Sequence, residues 1–204
     1  MKWEELASED RINKTVEKLK AHNFKVEVVD SGKGALERIK ELIPSGVDLM
    51  TAGSTTLQQI GFTDLLKSGD HKWINWKDKI IGVKNTEKAN KLRAESTLAT
   101  YFIGSAHAVT EDGDVLVASA TGSQLAPYAY SSPNIILVVG TQKIVKDIED
   151  GLTRIKEYSF QKEDARMKAM GAPGSAIGEI LIMKQIILPN RTVHILLVKE
   201  LLGF

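Results

Sequence analysis

The sequence contains no cysteine in its 204 residues. That absence excludes disulfide bridges, thiolate nucleophiles, thiolate zinc sites and iron–sulfur clusters held by cysteine. Surplus charge is missing too. Twenty-seven basic and 26 acidic residues leave a formal net charge of +1, which gives no global electrostatic footprint for nucleic acid or an anionic membrane. No apolar run approaches the ~20 residues that span a bilayer. The opening stretch "MKWEELASEDRINKTVEKLK" is too charged for a signal peptide. Together these absences lead to the expectation of a cytoplasmic protein with no membrane or nucleic-acid partner.

What is present is ordinary globular material: 43% hydrophobic and 26% charged residues, with no repeat, low-complexity tract or long linker. The length fits a single domain over residues 1–204. Ser8 is placed to cap a helix, with Glu9 and Asp10 in its first turn and Ile12, Val16 and Leu19 recurring on one face. "FKVEVVD" reads as a strand. "SGKGALERIKELIPSG" reads as a helix with Leu36, Ile39, Leu42 and Ile43 on one face, stopped by Pro44. "VDLMTAG" is a second short strand, and Thr56–Ile60 starts a helix running on toward "FTDLLKSG". Strand, helix, strand, helix with short links is the pattern of a parallel sheet with crossover helices.

Further along, Asn85 or Thr86 caps a helix to about Ala99. "YFIGSAHAVT" and "GDVLVAS" flank Glu111-Asp112-Gly113, and the Asp-Gly pair signals a β-hairpin. "NIILVVG" is a continuous apolar run, as in a strand buried on both faces. Val145, Ile148, Leu152 and Ile155 form the buried stripe expected of the next helix. "SFQKEDARMKAMG" reads as a short helix ended by Gly171, and "EILIMKQIIL" and "RTVHILLVKEL" as two C-terminal strands. The expected fold is α/β: a mainly parallel, Rossmann-like sheet flanked by helices, with a β-hairpin and C-terminal strands.

Ligands of open parallel sheets bind beyond the carboxyl ends of the strands, and three polar loops fall there. In the first, Gly53, Ser54, Thr55 and Thr56 combine close backbone approach with hydroxyl and N–H donors for an anion, although a plain helix cap needs the same residues. In the second, Thr121, Gly122 and Ser123 follow the hairpin, and Ser123 is equally placed to cap "QLAPYAY". In the third, Gly140 and Lys143 follow the most apolar strand, and the lysine can reach an anion as a point charge or simply lie in solvent.

Other chemistry has less support. His22, His71, His107 and His194 show no metal-ligand spacing, so no metal site is assigned. His194 reads as structural, and His107 is a candidate to approach the site. There is no Gly-x-Ser-x-Gly elbow, and "GAPGSAIG" lacks the Gly-Lys-Ser/Thr ending of a nucleotide-binding P-loop. With aromatics only 6% of the chain, "HKWINWK" stands out. Its tryptophans suit packing or a subunit contact better than stacking on a base. Arg93, Arg154, Arg166 and Arg191 are possible partners for an anionic group.

The blocks "GSTTLQQIG", "YFIGSAHAVTEDGDVLVASATGSQLA", "NIILVVGTQKIVKDIEDGLTRI", "EDARMKAMG" and "ILLVKELLGF" together resemble the LUD-domain (lactate-utilisation) family over most of the chain. The resemblance implies a fold similar to the ribose-5-phosphate isomerase, glucosamine-6-phosphate deaminase and CoA-transferase group, in which Gly/Ser/Thr loops at strand ends hold phosphates or carboxylates. It supports the same three loops and supplies no catalytic residue. Many relatives read Asp-Gly-Thr-Gly-Asn-Arg where this chain has Ser119-Ala120-Thr121-Gly122-Ser123-Gln124. The acid and the arginine are gone, and so is a late cysteine-rich segment found in some relatives.

The resulting expectation is a protein that binds a small carboxylate or phosphate, with no cofactor assigned, as a non-redox component of lactate or organic-acid utilisation. One alternative is an isomerase, CoA or acyl transferase, or cyclo-ligase-like enzyme. Glu95, Glu111, Asp112 and Asp114 are then the acids nearest in sequence to the loops. The other is a non-catalytic subunit that docks on redox partners through a patch including Trp73 and Trp76, and a homodimer is compatible with any of these.

Overall fold

The computed structural model describes residues 3–204. Helix α1 (Glu9–Ala21) is capped by Ser8, whose side chain accepts the Arg11 N–H. It leads into β1 (Lys25–Val29), α2 (Gly32–Leu42) and β2 (Asp48–Thr51). Then come two short helices, α3 (Thr55–Gln59) and α4 (Phe62–Ser68). The single helix expected here is broken at Gly61, which adopts φ +83, a left-handed conformation that glycine tolerates without steric cost. The stretch around the tryptophans forms β3 (Ile74–Asn75) and α5 (Trp76–Ile80), followed by α6 (Thr86–Ser96), capped by Asn85.

Strands β4 (Tyr101–Gly104), β5 (Ala108–Thr110) and β6 (Val115–Ser119) come next, then β7 (Asn134–Gly140) and β8 (Ile144–Val145). Helices α7 (Ile148–Arg154) and α8 (Phe160–Ala169) are joined through a π-helical turn over Ile155–Ser159. Strands β9 (Glu179–Met183) and β10 (Thr192–Val198) complete the chain. No helix among the described residues is long and apolar enough to cross a membrane.

The main sheet has the order β1-β10-β7-β4-β2-β3, and all its pairings are parallel. Its central strands are buried on both faces, which explains their unbroken apolar sequence. Along β7, Ile135, Leu137 and Val139 enter one core, while Ile136 and Val138 enter the other with α2, α3 and α4. In β10, Val193, Ile195 and Leu197 alternate in the same way with Leu196 and Val198.

The second sheet, β8-β5-β6-β9, packs on the first core through Val109, Val115, Val117 and Met183. Its outer face is covered by α7, where Ala108, Leu116 and Val145 meet Ile148 and Ile155.

The hairpin forms as the Asp-Gly pair foretells, with β5 and β6 antiparallel. Its first arm is shorter than expected. Tyr101–Gly104 belongs to the main sheet, and the chain changes sheets at Ser105–His107. The stripe predicted for α7 is also revised. Val145 lies in β8, Leu152 is 38% exposed, and Gly151, Arg154 and Ile155 face inward. The two C-terminal strands exist, but they join different sheets.

Candidate functional site

All strands of the main sheet run the same way, so their carboxyl ends deliver β2, β4, β7 and β10 to one rim. A cavity of about 270 Å³ opens there. It is lined by the turn after β2, the crossover at Ser105–His107, the segment after β6, Lys143, the start of α8 and the tail after β10.

Seven of the nine residues singled out in the sequence line this cavity: Gly53, Ser54, Thr55, Thr56, Thr121, Ser123 and Lys143. Ser54 also caps α3, accepting the Leu57 N–H at 3.3 Å. Thr121 and Ser123 pair their hydroxyls at 3.0 Å. The other two shape the surroundings. Gly122, at φ +71, lies against Glu179, whose carboxylate oxygen would be 2.0 Å from an added Cβ. Gly140 lets the chain pass the Glu200 carbonyl, which a Cβ would meet at 2.7 Å.

Lys143 is not in solvent. It is 2% exposed, and its Nζ donates to Thr56 Oγ1 and Ser105 Oγ, both at 3.1 Å. No carboxylate lies within ion-pair distance of it among the described residues. Burial, with the Arg154 guanidinium adding to it, holds its pKa well below the usual 10.5. Thr56 is fixed in turn by the Leu202 carbonyl (3.4 Å), which also accepts from Gln142 Nε2 at 2.8 Å. The tail after β10 is thereby tied across the site.

Arg154 is fully buried just behind the cavity wall. Its Nη1 donates to the His107 carbonyl and to Ser159 Oγ, while Nε and Nη2 have no hydrogen-bond partner among the described residues. Desolvation lowers its pKa to about 10. His107 lines the cavity and accepts the Ala118 N–H on Nδ1 at 3.2 Å. Burial, then the Lys143 and Arg154 charges, push its pKa down to about 3. The ring is therefore neutral at physiological pH, with its proton on Nε2.

Sequence reasoning missed Ser105, Ser159 and Glu163, all of which line the cavity. No local motif marks them, because the change of sheet and the π-helical turn bring them there. Among the described residues Glu163 is the one carboxylic side chain on the lining, and both its oxygens accept from Arg166 at 2.7 Å. Glu95, Glu111, Asp112 and Asp114 do not line the cavity. Glu111 is held by Arg11 and Lys14, and Asp114 by Lys184.

The remaining candidates lie outside the cavity. Arg191 caps the Pro127 and Tyr128 carbonyls, and Arg93 bonds Asn90. His194 lies 2.9 Å from Glu27. The indole of Trp73 donates to the Ile43 carbonyl and that of Trp76 to Asp48. Among the described residues no His/Asp/Glu cluster is arranged to hold a metal ion.

The family model for the LUD domain matches residues 12–198. The chain belongs to the LUD-domain family. A DUF162 family protein from Deinococcus radiodurans has the same kind of fold as this LUD domain. The identity is 13%, covering 95% of this chain and 99% of that one, with a TM-score of 0.56. The β subunit of eIF2B from Chaetomium thermophilum overlaps less, at 16% identity over 68% of this chain and 47% of that one, with a TM-score of 0.39. No curated protein matches this LUD domain.

Proposed function

We propose that the cavity binds a small organic anion, a carboxylate or a phosphate, within the lactate and organic-acid metabolism to which the LUD family is linked. The observation that carries this reading is a charge imbalance. Lys143 and Arg154 are buried at the cavity and neither has a carboxylate partner among the described residues, while the acidic side chain on the lining is already neutralised by Arg166.

A buried charge left uncompensated costs about 3–5 kcal/mol. An entering anion removes that cost. It sets a counter-charge beside Arg154 and the Lys143 amine, whose N–H groups keep the Thr56 and Ser105 hydroxyls as acceptors. The hydroxyls of Ser54, Thr55, Thr56, Thr121 and Ser123 then serve the ligand's remaining oxygens. A cavity of about 270 Å³ suits a small metabolite and not a folded partner.

The test is thermal melting with lactate, pyruvate, ribose 5-phosphate and coenzyme A. A ligand at about a hundred times its dissociation constant adds ~2.7 kcal/mol of stability. For a chain of this size that is a rise of roughly 5 °C or more in Tm. No rise with any of the four overturns the reading.

A further inference from the structure

We infer that Lys143 is a nucleophile that joins its ligand covalently as an imine, which makes the ligand class a 2-oxo acid. The inference rests on the anion-binding reading and goes one step beyond it. Its basis is the hydrogen-bond inventory around Nζ. A neutral primary amine has two N–H donors and one lone pair, whereas an ammonium has three donors and none. The structure supplies two acceptors, Thr56 Oγ1 and Ser105 Oγ, each 3.1 Å away. The Thr56 hydroxyl has Ser105 Oγ at 3.3 Å and the Leu202 carbonyl at 3.4 Å as acceptors, and the Ser105 hydroxyl has the Ala106 carbonyl at 3.2 Å, so each oxygen keeps a lone pair free. Their lone pairs are therefore left for the lysine. No third acceptor and no carboxylate meets Nζ among the described residues, and the residue lines an open cavity.

These two acceptors match the two N–H groups of the neutral amine, and among the described residues no donor engages its lone pair. Arg154, a second fixed cation behind the wall, opposes protonation further. A desolvated lysine beside another cationic group is the environment that activates an amine as a nucleophile. The amount of free amine at neutral pH rises about tenfold for each unit by which its pKa falls.

The step balances without any oxidant or reductant. The Nζ lone pair forms a C–N bond to the ketone carbon, and the C=O π pair moves to oxygen to give a carbinolamine. One nitrogen proton passes to that oxygen in the carbinolamine; the oxygen then leaves as water on taking a proton from solvent, the second nitrogen proton returns to solvent, and the C=N bond forms. Protonation of the imine restores a positive charge beside the ligand's carboxylate. Thr56 provides a hydroxyl for Nζ and belongs to the Gly53–Thr56 segment that lines the site. The anionic group and the reacting carbon are therefore required close together, as they are when the carbonyl adjoins the carboxylate.

The experiment is borohydride trapping on the full chain with pyruvate, followed by intact mass measurement and peptide mapping. The expected result is one reduced adduct per chain, located on Lys143. Lactate, which lacks the carbonyl, should give no adduct and should slow trapping by pyruvate. The Lys143→Arg and Lys143→Met variants should lose the adduct. Mapping on the unsubstituted protein decides the matter alone if those variants fail to fold. A pyruvate-dependent rise in Tm without an adduct, or labelling scattered over surface lysines, overturns the imine and leaves the anion-binding reading standing. The absence of both adduct and melting shift with all four metabolites overturns the two together.

Discussion

The Nζ of Lys143 lies 3.1 Å from the Oγ of Ser105. Lys143 follows β7, and Ser105 is where the chain leaves β4 for the second sheet. The contact therefore ties the ends of two adjacent parallel strands and places the site's basic group at the point where the fold changes sheets. It also makes the lysine's chemistry and the protein's stability oppose each other, and this can be measured.

Lys143→Met keeps the length and packing of the side chain and removes an amine that is buried with no carboxylate partner among the described residues. We expect the variant to melt higher at neutral pH, by about 1–2 kcal/mol, and to lose any ligand-dependent shift. Because the folded-state pKa of Lys143 is lowered, the unfolded chain binds the extra proton. The stability gap between variant and parent should then narrow as pH rises toward 10.5, the unfolded value. Melting curves from pH 6 to 10 check both the sign and the trend. A variant less stable than the parent across that range contradicts the argument.

The glycines of the first and third loops should behave differently. At Gly53 an added Cβ meets nothing within 4 Å. Gly53→Ala should leave Tm nearly unchanged and show itself only in a weaker response to ligand. At Gly140 the Cβ would lie 2.1 Å from Gln142 Oε1 and 2.7 Å from the Glu200 carbonyl. Gly140→Ala should cost about 1–3 kcal/mol, read from denaturant unfolding. Equal losses at the two sites would refute this division of roles.

His107 sets a pH limit on the fold. Its pKa is lowered to about 3 in the folded protein from an ordinary 6.5. Between those values the unfolded chain takes up a proton that the native state refuses. The histidine's contribution is therefore intact above pH 6.5 and is lost as pH falls toward 3. His107→Asn removes that titration and should flatten the decline in Tm between pH 6.5 and 4, relative to the parent. Parallel pH profiles for the two proteins would show that the ring is not held neutral.

Local chemistry made several elements legible. Ser8 and Asn85 cap their helices as their sequence contexts foretell. The Asp112-Gly113 turn forms the hairpin. The apolar run of β7 reflects burial on both faces. What the sequence hid depends on long-range pairing. Nothing local says that Tyr101–Gly104 and Ala108–Thr110 belong to different sheets. The stripe from Val145 to Ile155 failed because Val145 pairs with Thr110 in β8 while Arg154 takes an inward position. The site followed the same division. Loops at strand ends could be listed by type, but Ser105, Ser159 and Glu163 arrive only through the tertiary path of the chain.

The π-helical turn at Ile155–Ser159 has a consequence for how this site can be lost. A widened turn holds one more residue than the α-helix around it, and each residue turns an α-helix by about 100°. The wider turn takes up that extra residue locally, so Phe160, Glu163 and Arg166 keep the face that meets the cavity. Deleting one residue within the turn would straighten the helix and leave that face in place, but it would remove the bulge from which Ser159 meets both the cavity and the Arg154 guanidinium. One residue of length at this turn thus separates a lined cavity with its buried arginine held from the same cavity with that arginine released.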